Sequence, residues 1–137
     1  MADRRKVIIV HTLAHAQAAL EIAGNIGKPV TLQSAPGALG YAGSLYLLNL
    51  FTQAMQTNPN TDAICMLDCG DMTGYAIGAI TDGHKHLRAD MPPEVFSRLE
   101  SIASQYGATL YTGQPKALDL ELTADIREAC RQWLLCD

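Results

Sequence analysis

The residues best suited to chemistry in this chain stand together at Asp68, Cys69 and Asp71. They follow an apolar run, Ala63-Ile64-Cys65-Met66-Leu67, that reads as a buried strand stopping at Asp68-Cys69-Gly70-Asp71. A glycine-punctuated helix from Gly74 to Ile80 comes next. The carboxyl end of such a strand is where open α/β sheets bind their ligands. Asp68 is placed to bind a metal, a hydroxyl or a proton; its dull alternative is an Asx-turn to its own backbone. Asp71 either joins a ligand site or caps the next helix. Cys69 is a candidate nucleophile or sulfur carrier. A helix N-terminus favours its thiolate, whereas the neighbouring Asp68 and Asp71 oppose it. Otherwise it is a small apolar filler.

His11, Thr12 and His15 form a second group. His11 is the candidate acid/base partner of Asp68. If a helix begins at or before His11, the four-residue spacing puts both imidazoles on one face, as in helical zinc-type metal sites. Asp68 or Cys69 would then supply a third ligand. Thr12 either caps that helix or contacts a ligand. Beyond this metal no cofactor is predicted. Ser34 precedes a loop with Gly37, Gly40 and Gly43, whose backbone N–H groups suit a carboxylate or phosphate. The loop lacks the Gly-Lys-Ser/Thr of a P-loop and the G-x-G start of a dinucleotide fingerprint. Gly74 and Gly78 read as a flat face for close packing. His84 and His86 read as surface residues.

The elements that must position these groups alternate. Strands are predicted at Val7–Val10, Val30–Gln33, Ala63–Leu67, Lys85–Arg88 and Ala108–Tyr111, from their apolar or β-branched content. Between them lie amphipathic helices. The first is capped by Thr12, carries Leu13, Ala16, Ala19, Leu20, Ala23 and Ile26 on one stripe, and ends at Gly27. The second begins at Ser44 and runs to about Thr57; Leu45, Tyr46, Leu47, Leu48, Leu50 and Phe51 cover nearly its whole circumference. A helix apolar all round is buried on more than one side. A neighbouring helix or a second subunit is expected against it, hence a homo-oligomer through residues 44–57. Another helix opens at Met91-Pro92-Pro93, with proline suited to its first turn. The segment Thr112 to Leu122 reads as a loop, and Thr123 as the cap of a last helix ending near Cys136.

Strand and helix in alternation imply one α/β domain over residues 1–137, a three-layer α/β/α sandwich with a five-stranded, mostly parallel sheet. A flavodoxin-like strand order is the first expectation and a Rossmann-like order the second. An eight-fold barrel needs roughly 200 residues or more, beyond the 137 present.

Composition narrows the function classes. The formal net charge is -4, and Arg4-Arg5-Lys6 is the only basic cluster. The electrostatic footprint of a nucleic-acid binder is missing. No segment is long enough to cross a membrane, and Val7–Val10 is too short for a signal-peptide core. The expectation is a cytoplasmic protein whose four cysteines are reduced thiols.

Two families of this size fail on their own residues. A response-regulator receiver would match Asp68 and, loosely, Lys116, but needs an acidic pair where His11-Thr12 stand. A flavodoxin needs a Ser/Thr-rich phosphate loop where Leu13-Ala14-His15 stand. The strand-helix-strand of residues 7 to 33, with Cys69 near the middle of the chain, resembles the DsrE-type sulfur-relay proteins. That resemblance implies an oligomer passing sulfur on a cysteine. The residues themselves point to a site for a polar or anionic metabolite, served by Asp68, His11 and Cys69, with Ser34, Gly37 and Gly40 holding the anion. A non-catalytic ligand-binding or regulatory module on the same fold is the alternative.

Overall fold

The computed structural model describes residues 5–136. The protein is α/β: a parallel sheet of six strands flanked by helices, in the order β5-β4-β3-β2-β1-β6. The strands are β1 (Lys6–Val10), β2 (Val30–Ser34), β3 (Ala63–Gly70), β4 (His86–Ala89), β5 (Thr109–Tyr111) and β6 (Ala117–Asp119). The helices are α1 (Leu13–Ile26), α2 (Ala38–Ala42), α3 (Ser44–Thr57), α4 (Thr73–Asp82), α5 (Pro93–Gln105) and α6 (Ile126–Leu135). The expected strands are all present, and a sixth, β6, lies in the segment read as a loop. The flavodoxin and Rossmann orders both reverse direction beside the first strand. The reversal here also lies beside β1, with β6 as the neighbour.

The described residues form two compact units, one of residues 5–33, 50–64 and 115–136, the other of residues 34–49 and 65–114.

In the first unit β1 pairs in parallel with β6, Ile9 standing opposite Asp119. Thr12 caps α1 by accepting the His15 N–H, and Gly27 closes the helix at φ 68°. Of the six residues of the predicted stripe, Ala16, Ala19, Leu20 and Ala23 are buried, while Leu13 and Ile26 at its ends are half-buried. α1 packs against α6, and Arg127 pairs with Glu21 between them. Trp133 donates its indole N–H to the Val7 carbonyl at 3.1 Å. Gly24 is required by a close approach: a Cβ there would come within 2.6 Å of Thr61 Oγ1, the hydroxyl that donates to the Leu20 carbonyl. The last helix starts later than expected. Asp125, not Thr123, accepts the N–H of Glu128 as N-cap, because residues 120–122 are taken up by a 3₁₀ turn.

In the second unit β3 pairs with β4 and β4 with β5, all parallel. β3 runs through Asp68 and Cys69 to Gly70 instead of stopping at Leu67. Its register with β4 shifts between Asp68 and Gly70, where Gly70 takes φ 51°. α4 packs against α5. Leu39, Leu67, Ile80, Leu87 and Leu99 are fully or almost fully buried, each contributing about 1.5–3 kcal/mol of transfer free energy. The glycine loop after β2 is partly helical: α2 fills residues 38–42, with Gly37 and Gly43 in positive φ at its two ends.

Candidate functional site

In the first unit, β1 hands its chain to the α1 N-terminus through His11 and Thr12, while β6 ends at Asp119 alongside. The parallel register brings the two strand ends together, and side chains meet there. His11 Nε2 lies 2.7 Å from Asp119 Oδ1. A carboxylate only accepts, so Nε2 carries the hydrogen and the lone pair of the neutral ring falls on Nδ1. That Nδ1 faces Glu121 Oε2 at 3.7 Å, beyond hydrogen-bond range. Asp119 Oδ1 also accepts the Glu121 N–H at 3.0 Å, so one carboxylate fixes the imidazole and the turn that carries Glu121. The His15 ring stands edge-on to His11, centroids 5.9 Å apart. His15 Nδ1 accepts the His11 backbone N–H at 3.1 Å, which leaves Nε2–H as a donor in the neutral ring. Burial, and after it the nearby His11, lower the His15 pKa and favour that neutral ring.

Thr12 Oγ1 is engaged as the α1 cap. Because α1 begins at Leu13, His11 is outside the helix, and the helical spacing on which the two-histidine metal site depended is not present. Among the described residues no group of three or more His, Cys, Asp or Glu is arranged to hold a metal ion.

Asp68, Cys69, Ser34 and Asp71 lie in the other unit. Asp68 is 3% exposed and Arg88 4%. Arg88 Nη1 donates to Asp68 Oδ1 at 2.5 Å, Nε to the Gly113 carbonyl at 2.8 Å, and Nη2 to Asp90. Asp68 Oδ1 also accepts the Gly70 N–H at 3.0 Å, which is the Asx-turn contact. The Asp68 N–H in turn donates to Ser34 Oγ at 2.8 Å. Ser34 and Asp68 are therefore adjacent, but as members of a buried, mutually satisfied ion-pair network.

Cys69 is completely buried. Burial, reinforced by Asp68 and only partly offset by Arg88, pushes its thiol up to about 12. A reactive cysteine needs the opposite setting, exposed and electropositive. Asp71 does not cap α4: the N-cap is Met72, with no side-chain hydrogen bond. In the glycine loop the Ala38 and Gly40 amides already donate to the Ala35 and Gly37 carbonyls. An anion cradle at Gly37 and Gly40 loses those donors. His84 is no surface residue: it is 2% exposed, its Nε2 lies 2.9 Å from the Ser44 carbonyl, and burial lowers its pKa.

Asp119, Glu121 and Arg88 are the interacting groups that sequence reasoning passed over. A signal for the first two was present. Leu118-Asp119-Leu120-Glu121-Leu122 alternates strictly, the period of a half-buried strand. Gly113 and Pro115 just before it made the whole segment read as a loop.

No known family model matches the chain, and no curated protein matches it in sequence.

Proposed function

We propose that this protein is a small enzyme acting on a polar metabolite, with His11 as general acid/base and Asp119 as the residue that orients it. The observation that carries the reading is the 2.7 Å contact between His11 Nε2 and Asp119 Oδ1, beyond the carboxyl ends of two parallel strands at the sheet's reversal. An imidazole held by a carboxylate at one nitrogen offers the other for proton transfer. His15 supplies an N–H donor beside it, and Glu121 a movable carboxylate, 63% exposed, facing the same Nδ1. Together they suit a substrate with a hydroxyl or carbonyl to polarise. Asp68, Ser34 and Cys69 leave the reacting set, since their polar atoms are engaged or buried. A sulfur-carrying role for Cys69 has no comparable support. The four free cysteines favour a reducing, cytoplasmic setting.

A screen of polar metabolites by thermal shift, followed by product analysis on each stabilising compound, tests the reading. Turnover in the wild type that falls by at least 10²-fold in both His11→Ala and Asp119→Asn, and survives in Cys69→Ser, supports it. A turnover that ignores His11→Ala, or that needs Cys69, overturns it.

A further inference from the structure

Asp119 and Glu121 are carboxylates without an arginine or lysine beside them. Elsewhere in the chain Asp62 pairs with Arg5, Asp68 and Asp90 with Arg88, and Glu21 with Arg127. Among the described residues the ion-pair partner of Asp119 and of Glu121 is the His11 imidazole alone. The Asp119 side chain is 27% exposed, and a carboxylate taken that far out of water needs compensation. With the His11 ring neutral, the group holds two carboxylates and no cation.

The gap between His11 Nδ1 and Glu121 Oε2 has the same deficiency at atomic scale. Nδ1 of the neutral ring and the carboxylate oxygen are both acceptors. They face each other at 3.7 Å, and neither supplies a hydrogen. A donor atom about 2.9 Å from each would see them about 80° apart, so it must carry more than one hydrogen. A hydroxyl carries one and satisfies one side only. A water carries two but brings no charge. An ammonium carries three, reaches both acceptors with slightly bent hydrogen bonds, and brings the missing positive charge. A metal ion is short of ligands. His15 Nδ1 is taken by the His11 N–H, which leaves Nδ1 of His11 and the Glu121 carboxylate, fewer than a zinc-type site supplies.

We infer that this site takes a metabolite with a primary ammonium group beside an oxygen function, the ammonium donating to both His11 Nδ1 and Glu121 Oε2. This rests on the assignment of His11 and Asp119 as the reacting pair, and it adds the class of molecule they act on. The remaining donors suit the oxygen. His15 keeps its Nε2–H, and α1 begins at Leu13, so the positive end of the helix dipole favours an oxygen acceptor. Amino alcohols and amino acids carry both groups on neighbouring carbons. A proton passing from the seated ammonium to Nδ1 leaves its electron pair on nitrogen, as a neutral amine. The imidazolium so formed lies between two carboxylates, Asp119 at Nε2 and Glu121 at Nδ1, which stabilise it.

Long-range proton–nitrogen spectra of the full chain test this, at constant ionic strength and at a pH where the His11 ring is neutral and an alkylamine is protonated. The probes are ethanolamine and its amine-free counterpart ethylene glycol, each titrated to about 100 mM, a range suited to ligands this small. Glu121→Gln is the site variant, close in shape to the exposed side chain it replaces. Glu100→Gln, at an exposed position of α5, controls for charge in general. The expected result is a saturable shift of His11 Nδ1 with ethanolamine, at least about fivefold tighter than with ethylene glycol, weakened about fivefold or more in Glu121→Gln and unchanged in Glu100→Gln. No saturable shift with ethanolamine, equal affinity for the two probes, indifference to Glu121→Gln, or an equal loss in Glu100→Gln overturns the inference. A turnover of an amine-free substrate that needs His11 and Asp119 also overturns it, while the acid/base reading stands. Ethanolamine binding as expected, with every turnover indifferent to His11→Ala, supports the ammonium site and overturns the acid/base reading instead.

Discussion

Asp119 Oδ1 holds His11 Nε2 at 2.7 Å although 108 positions separate the two residues. The contact exists because β6 lies parallel to β1 with Asp119 opposite Ile9. A three-residue strand thus sets the tautomer of the chain's best-placed imidazole. The residues first suspected, Asp68 and Cys69, belong to a different kind of arrangement, and the two can be separated by experiment.

The Asp68–Arg88 pair is structural. Removing one partner strands the other charge in a buried setting, so Asp68→Ala and Arg88→Ala should each cost about 3–5 kcal/mol. The double replacement Asp68→Leu with Arg88→Met should cost far less than the two single changes combined. Urea unfolding of the four proteins measures this.

His84 and His15 make stability depend on pH. Both have pKa values lowered from the usual 6.5 in the folded chain. Below pH 6.5 the unfolded chain therefore binds more protons than the folded one, and stability rises with pH. Their contribution is complete well above pH 6.5 and declines as pH falls toward the folded-state pKa values, at no more than about 1.4 kcal/mol per pH unit for each histidine. Urea midpoints at pH 8.0 and 5.5 should differ in that direction, and His84→Gln should reduce the difference.

The thiols should react in a set order. Burial pushes Cys65 and Cys69 up to about 12 and Cys130 up to about 11, while Cys136 is the exposed one. Ellman's reagent at pH 8 should label Cys136 quickly and the other three only as the chain unfolds. A Cys69 that reacts as fast as Cys136 would revive the nucleophile reading.

Much of the fold could be read from periodicity. The stripe Ala16, Ala19, Leu20 and Ala23, the Thr12 cap and the Gly27 stop stand where the spacing puts them, since each is a local property of the backbone. What escaped was set by tertiary pairing. β6 is only three residues long and follows a glycine and a proline, so its alternation was outweighed by turn chemistry. Asp119 and Glu121 were lost with it. Asp68 drew attention by its place at a strand end, but no local pattern announces that Arg88, 20 residues on, will neutralise it. Cys69 was a candidate nucleophile while β3 was taken to end before it; in the structure the strand continues to Gly70 and the thiol is buried.

The account turns on His11 being poised by Asp119. Long-range proton–nitrogen correlation spectra of the imidazoles, recorded at a pH where the His11 ring is neutral, test it most directly. The prediction is a protonated Nε2 and an unprotonated Nδ1 in the wild type, with the Nδ1 resonance moving when a stabilising metabolite is added. A ring protonated at Nδ1, or one whose tautomer mixture is the same in Asp119→Ala as in the wild type, would contradict it.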